Sequence, residues 1–393
     1  MFLPIYEILR NNLNVTPRYY YFTLVQLVFS IFSKQRSHII NVLYSFSLGF
    51  FSIRLNFIFG LLLFMDVLYS ARILKPSFKM LGAVALLLIF IISFYLIGWD
   101  NIGDESIVER FSFLLFTVFT LSILSLRVRQ REKLRIIKAF IYGMFCYSLP
   151  IVLISLTKGG YGYGSLYNPW TQMEMNSPSV SNDLALIASY MILFGSSKQR
   201  ILHLFLLSLV IISGVYVGGR TFIFVVVVCL FLSCYTNLRA KQLVLVFPMI
   251  ITSVIFVFIT GLDKVLFSRF YEMGLESARF DLIIQALIYI PSYPYGGFEP
   301  SVYSYDGEWF HNFYLDTAST SGWYPLSVSI FFTAFIAKVV FRHYKVSFLF
   351  FFLTIVLIMS QDVIMEGNLK PFLLFIFSAV LLTQIRQPSK INQ

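Results

Sequence analysis

Two arginines and one histidine are the residues of this chain whose types and settings could do chemistry: Arg220, Arg279 and His311, the last followed directly by Asn312. A guanidinium presents a planar fork of N–H donors that matches phosphate oxygens two at a time. An imidazole exchanges protons near neutral pH. Arg220 follows VYVGG and opens the apolar run TFIFVVVVCLFLS. An arginine at that depth faces a cavity or an anionic group, or snorkels to lipid headgroups. Gly218-Gly219 before it allow a ligand or another backbone to approach closely. Arg279 opens SARFDLIIQALIYIP, in which Phe280, Ile283, Ile284, Leu287 and Ile288 recur with a helical period. A cation at a helix start opposes the helix dipole, so Arg279 calls for a partner. His311 precedes the helical stretch FYLDTAST, whose first N–H groups favour an anion. Two fixed cations and one titratable ring together suit the head group of a phosphorylated lipid.

The elements that must position these residues are membrane helices. Of 393 residues, 58% are hydrophobic and 12% charged, whereas a soluble domain carries about 25% charged residues. Apolar runs recur from end to end, at the length needed to cross a hydrocarbon layer of about 30 Å. Spans are predicted near 39–53, 55–70, 79–98, 107–126, 136–156, 182–197, 201–217, 221–237, 243–261, 322–341, 346–361 and 371–385. The first two require a tight hairpin at Arg54, and Tyr19–Ser33 either lies in the interface or adds a thirteenth span. The fold class expected is therefore an all-α integral membrane protein: one polytopic domain over 1–393, a bundle of about twelve transmembrane helices.

Every second connection is basic. The sets are Lys34/Arg36, Arg72/Lys75/Lys79, the run Arg127 to Lys138, Lys198/Arg200, Arg239/Lys241, Lys338/Arg342/Lys345 and Arg386/Lys390. They hold about two thirds of the 30 Lys and Arg, so the net charge of +11 reports topology control and no nucleic acid is expected as a partner. The intervening connections hold most of the acids, among them Asp100, Glu105, Glu174, Asp263, Glu299 and Glu308. By the positive-inside rule the basic connections and both termini are cytoplasmic. The outward face then carries two sizeable loops, 157–181 and 262–321. The second holds the amphipathic helix that starts at Arg279, then SYPYGGFEP with its Gly296-Gly297 turn, then His311. The other histidines, His38, His203 and His343, sit beside Lys or Arg on the cytoplasmic side and read as solvated polar residues. No second histidine or cysteine shares the face of His311, which disfavours a metal site there, although the carboxylates Asp306 and Glu308 leave that alternative open. The N-terminus carries Glu7 and lacks a small-residue cleavage site, which does not fit a signal peptide. Cys146, Cys229 and Cys234 all fall in apolar runs, which disfavours a disulfide framework.

Four patches, in order, resemble the bacterial O-antigen ligase/polymerase family: NSPSVSNDLALIASY, SGVYVGGRTFIFVVVV, ESARFDLIIQALIYIPSYPYGG and HNFYLDTASTSGWYPL. They cover roughly the C-terminal 220 residues; the first 150 match in hydropathy alone. The chain departs from the family pattern at Gly296-Gly297, which lacks a clean Gly-x-Gly, and at the aromatic pair Trp323-Tyr324. The resemblance implies a membrane glycosyltransferase that needs neither metal nor cofactor. Its donor and acceptor would be undecaprenyl-diphosphate-linked oligosaccharides, and its partners membrane lipid and a chain-length regulator protein. It would lie in the bacterial inner membrane with the active site periplasmic. Carried onto this chain, Arg220 and Arg279 would hold the donor diphosphate, and His311 would act as base on the acceptor hydroxyl. Asn312, Gly296, Gly297 and Tyr314 would line the substrate. An O-antigen polymerase is the leading expectation. Transfer to lipid A–core by a ligase, and transport of a lipid-linked sugar, are the alternatives.

Overall fold

The computed structural model describes residues 38–69, 75–102, 107–157, 164–195, 200–237, 278–301, 307–365 and 367–385. Within them the chain forms α1 (38–49), α2 (Ile53–Tyr69), α3 (Phe78–Ile97), α4 (Ile107–Arg127) and α5 (Lys133–Thr157). A hairpin follows, β1 (Ser165–Asn168) with β2 (Met173–Asn176), and then α6 (Ser177–Phe194), α7 (Arg200–Val217) and α8 (Arg220–Asn237). The C-terminal part holds α9 (Ala278–Tyr289), α10 (Phe313–Ser321), α11 (Trp323–His343), α12 (Val346–Met359) and α13 (Lys370–Thr383). The predicted span 243–261, the segment Tyr19–Ser33 and residues 262–277 of the long loop lie outside the described residues.

The architecture is helical apart from the one hairpin, and four helices (α3, α4, α5 and α11) are long and apolar enough to cross a membrane. Every residue of α13 is buried, and it packs against α3, α4, α5, α6, α11 and α12. A helix that is apolar all round belongs at the centre of a bundle. Outer faces carry bare large side chains such as Leu96, Leu204, Phe224, Phe331 and Phe341. In water such faces would drive aggregation; against lipid they are solvated. Glycines allow a close crossing of α1 and α5: a Cβ on Gly49 would lie 1.9 Å from the Phe140 carbonyl oxygen, and one on Gly143 would lie 2.1 Å from that of Phe46. Small residues let helix backbones approach where no hydrophobic force drives them together.

Hydrogen bonds sort the helix ends into two sets. At one end the Ser77 hydroxyl donates to the Thr383 carbonyl at 2.8 Å, and Lys133 Nζ donates to the Gln384 carbonyl at 2.6 Å and the Tyr344 hydroxyl at 3.0 Å. Lys75, Lys79, Arg342 and Lys345 belong to this end. At the other, Ser321 Oγ donates to the Phe94 carbonyl at 2.7 Å, Asn101 Nδ2 to the Thr320 carbonyl at 2.7 Å, and Asn368 Nδ2 to the Ser179 carbonyl at 3.2 Å.

Two details differ from expectation, and a third is one that the sequence leaves open. The loop over 157–181 is shorter and more ordered: it contains the antiparallel hairpin, Ser165 opposite Asn176, and α6 begins at Ser177 rather than near 182. Pro178 suits a first helical turn, and the polar run Ser179 to Asp183 is helical because these side chains find buried partners, described below. The turn before α2 spans 50–52, with Phe51 at φ 56°, and Arg54 already lies inside the helix. In α9 the apolar stripe Phe280, Ile284, Leu287 and Ile288 is exposed, while Leu282 and Ala286 on the other side pack with Phe298, Phe310, Leu315 and Ala318. The sequence allows this helix to lie against the membrane or the bundle, and the structure turns its apolar stripe away from the bundle.

Candidate functional site

The second set of helix ends encloses a polar cluster built from α6, α9, α10 and the 360–369 connection between α12 and α13. Its first part is the start of α10. Asn312 is the N-cap: its side-chain oxygen accepts from the Tyr314 N–H at 3.0 Å and the Leu315 N–H at 3.4 Å, the favoured role of asparagine at a helix start. Asn312 Nδ2 reaches the Ser360 carbonyl at 3.4 Å, tying this corner to the end of α12. The expectation of an anion seat on these amides is thus corrected, because Asn312 itself occupies the N–H groups that would form it.

His311 stands just outside the cap with φ 52°, and Arg279 reaches the same place from α9. Arg279 Nη1 donates to Gln361 Oε1 at 2.6 Å, which supplies an acceptor for the cation at the helix start. Burial, and after it the positive charge of Arg279, lower the His311 pKa to about 4. The imidazole is therefore neutral at physiological pH, beside a permanent cation. These two residues are the part of the expected triad that the structure brings together.

Arg220 enters the same end by another route. Gly219 lies so close to α6 that an added Cβ would fall 1.7 Å from Ser181 Oγ. The neighbouring residues of that turn, Ser179 and Asn182, donate to the Asp362 carboxylate at 3.5 and 3.2 Å. Asp362 is adjacent in sequence to Gln361, the partner of Arg279. Arg220 thus begins its helix against the first turns of α6.

The remaining expected site residues serve elsewhere. Gly296 and Gly297 adopt φ 80° and 85°, which glycine alone adopts without strain. The Gly297 N–H donates to the Ser319 carbonyl at 2.6 Å, and a Cβ on Gly296 would meet Thr320 backbone at 2.5 Å. This turn packs on the C-terminal end of α10, about 13 Å of helix from His311 at the usual rise of 1.5 Å per residue. Tyr314 turns into the bundle, its hydroxyl 2.9 Å from Thr333 Oγ1 on α11. The sequence assigned all three to substrate; the structure uses them for packing.

What sequence reasoning missed is buried charge. Lys370 Nζ lies 2.6 Å from Asp183 Oδ2, and the two side chains are 2% and 0% exposed. Ser148 Oγ donates to Asp183 at 3.1 Å, Asn368 Nδ2 at 3.1 Å, and the Lys370 ammonium sits 3.9 Å from the Tyr147 ring centroid. The hairpin covers this pair, with Asn168 Nδ2 donating to the Tyr147 hydroxyl at 2.8 Å. Beside it, burial first and the Asp183 charge next push the Asp362 carboxyl up to about 6, against hydrogen bonds from Asn182, Asn368 and Ser179. Asp316, buried in the first turn of α10, is pushed up by burial to about 8. Lys370 carries its own signal: a cation on the acid-bearing side, at the start of an apolar run, requires a buried partner.

The cluster can hold an anion against guanidinium and keep an unprotonated imidazole beside it. Comparison with known proteins adds nothing further: no family model matches the chain, and no curated protein is significantly similar to it.

Proposed function

We propose that this chain is a membrane glycosyltransferase, an O-antigen or related surface-polysaccharide polymerase, that acts on undecaprenyl-diphosphate-linked glycan at the outer face of the bacterial inner membrane. The observation that carries this reading is the convergence of two chain segments on Ser360-Gln361. Arg279 donates to Gln361 at 2.6 Å and the Asn312 amide next to His311 reaches the Ser360 carbonyl at 3.4 Å, so that a guanidinium and an imidazole share one corner at the helix ends opposite the basic ones. That is the equipment for an anionic leaving group and a hydroxyl nucleophile.

In this scheme the donor diphosphate lies against Arg279 and, from the α6 side, Arg220. The acceptor hydroxyl oxygen attacks the anomeric carbon from the face opposite the diphosphate, forming one C–O bond as the bond to diphosphate breaks, with inversion. His311 takes the hydroxyl proton, and the guanidinium charges stabilise the departing diphosphate, a role worth a few kcal/mol in comparable sites. The two parts are coupled. Arg279 lowers the basicity of His311, and a bound diphosphate offsets that charge, so the imidazole gains proton affinity when donor is in place. The outward apolar stripe of α9, which begins directly after Arg279, suits a substrate delivered from the lipid.

The test is transfer itself. Purified protein in lipid nanodiscs, given lipid-linked repeat units, should extend them into a ladder of polymers on a gel, with and without chelator. His311→Ala should stop extension at the single unit while expression is unchanged. Products formed only with lipid A–core as acceptor would point to a ligase, and translocation without glycosidic bond formation to a transporter; either result overturns the polymerase reading.

A further inference from the structure

His311 is one of three non-glycine residues with positive φ among the described residues, the others being Phe51 and Gln172. For a residue with a Cβ the left-handed region costs of order 1 kcal/mol or more and persists where surrounding bonds dictate it. At residue 311 those bonds come from one side chain. Asp316 Oδ1 accepts the N–H of Phe310 at 2.7 Å, and Asp316 Oδ2 accepts the N–H of Asn312 at 3.1 Å. The carboxyl group thus grips the chain on both sides of His311. With its pKa raised by burial to about 8, it is largely protonated near pH 7, and both of its oxygens still have a lone pair for an amide. It is itself fixed, 5% exposed in the first turn of α10, where the helix dipole favours an acid. The Phe310 ring beside it is buried against Phe298, centroids 5.5 Å apart.

We propose that Asp316 is the positioning residue for His311: by bridging the amides before and after it, the two oxygens of its carboxyl group hold the backbone turn that brings the imidazole beside Arg279. This rests on the reading of His311 as the base of the transfer reaction. The chemistry demands aspartate. Each oxygen meets a different donor, so asparagine would set an amide N–H against a backbone N–H and lose one arm of the bridge. Glutamate keeps both acceptors but is one methylene too long for the same turn. A misplacement of about 1 Å at a reacting group can lower a rate about 100-fold.

The experiment uses the full chain, labelled with 15N-histidine, in nanodiscs. The His311 signal among the four histidines is assigned by its loss in His311→Gln. In the native protein it should titrate far below 6.5, near the value of about 4 set by burial and Arg279. In Asp316→Asn the midpoint should climb back toward 6.5 as the ring leaves that environment, and kcat should fall about 10- to 100-fold with the donor KM little changed. Asp316→Glu should give a smaller move in the same directions, and it carries the comparison if Asp316→Asn does not fold. An unchanged His311 midpoint in the folded variant, with kcat within twofold of native, would overturn the proposal. The titration arm stands apart from catalysis: if the native protein transfers no sugar, the polymerase reading fails, and the midpoint still decides whether Asp316 positions the ring.

Discussion

Replacing Lys370 with methionine tests the energetics of the polar cluster most directly. The ammonium and the Asp183 carboxylate are 2.6 Å apart with side-chain exposures of 2% and 0%. At an effective dielectric of 20 the attraction at that distance is about 6 kcal/mol, partly offset by the desolvation of both ions. What remains when one partner is removed is a buried carboxylate served, among the described residues, by the Ser148 hydroxyl and the Asn368 amide. Breaking such a pair costs about 3–5 kcal/mol, and methionine also gives up the cation–π contact with Tyr147. The folded-to-unfolded ratio should therefore fall by a factor of roughly 150 to 5,000. Asp183→Asn alone should cost a similar amount, because it strands the ammonium. The double variant Asp183→Asn/Lys370→Met removes both charges and should recover at least 2 kcal/mol relative to the sum of the single changes. Reversible unfolding in mixed micelles, followed by circular dichroism as denaturing detergent is titrated in, supplies all four free energies. Single losses below about 1 kcal/mol, or a double variant equal to the sum of its parts, would refute the view that this pair is a desolvated, mutually dependent unit.

Four further outcomes follow from the same geometry. Gly322→Ala, whose Cβ would lie 2.0 Å from the Pro294 carbonyl oxygen at φ 78°, should lose about 3 kcal/mol or more in that unfolding assay; a variant as stable as native would show that this turn yields easily. The His311 pKa is depressed from 6.5 to about 4, so below pH 6.5 the unfolded chain takes up a proton that the folded chain refuses. Native protein should lose stability relative to His311→Gln as pH falls from 6.5 toward 4 and show no such loss above pH 7; parallel pH curves for the two proteins would count against it. Arg279→Lys keeps the charge but loses the planar fork and the contact with Gln361. Transfer should drop about 10- to 100-fold, and full activity would mean that charge alone suffices. For Arg220→Lys a similar drop is expected, whereas undiminished polymer length on gels would reduce Arg220 to a snorkelling anchor.

Much of this could be read along the chain, and the misses share one cause. The predicted spans 79–98, 107–126 and 322–341 lie within two residues of α3, α4 and α11, since a run of apolar residues bounded by charges leaves little freedom in where a helix crosses. Arg279 and His311, which are 32 positions apart in sequence, were expected on one loop, and the structure ties their two segments to the adjacent residues Gln361 and Ser360. The start of α6 was missed because NSPSVSND is too polar to look like membrane helix. The partners that make it tolerable, Asp362, Asn368 and Lys370, lie about 180 residues further on. Gly296, Gly297 and Tyr314 were given to substrate by the family resemblance, and the neighbours that the structure shows for them, Ser319, Thr320 and Thr333, are fixed by packing.

The sequence by itself determined that this is an apolar helical bundle with its cations alternating between connections, because hydrophobicity separates lipid from water residue by residue. Which apolar face meets protein and which meets lipid was decided only by tertiary structure. Both environments are equally greasy, so periodicity left the stripe of α9 free to lie against the membrane or the bundle, and the fold turns it outward. The same holds for charge: a lone Asp183 or Lys370 is unfavourable in its helix, and only the fold that sets them 2.6 Å apart makes either one tenable.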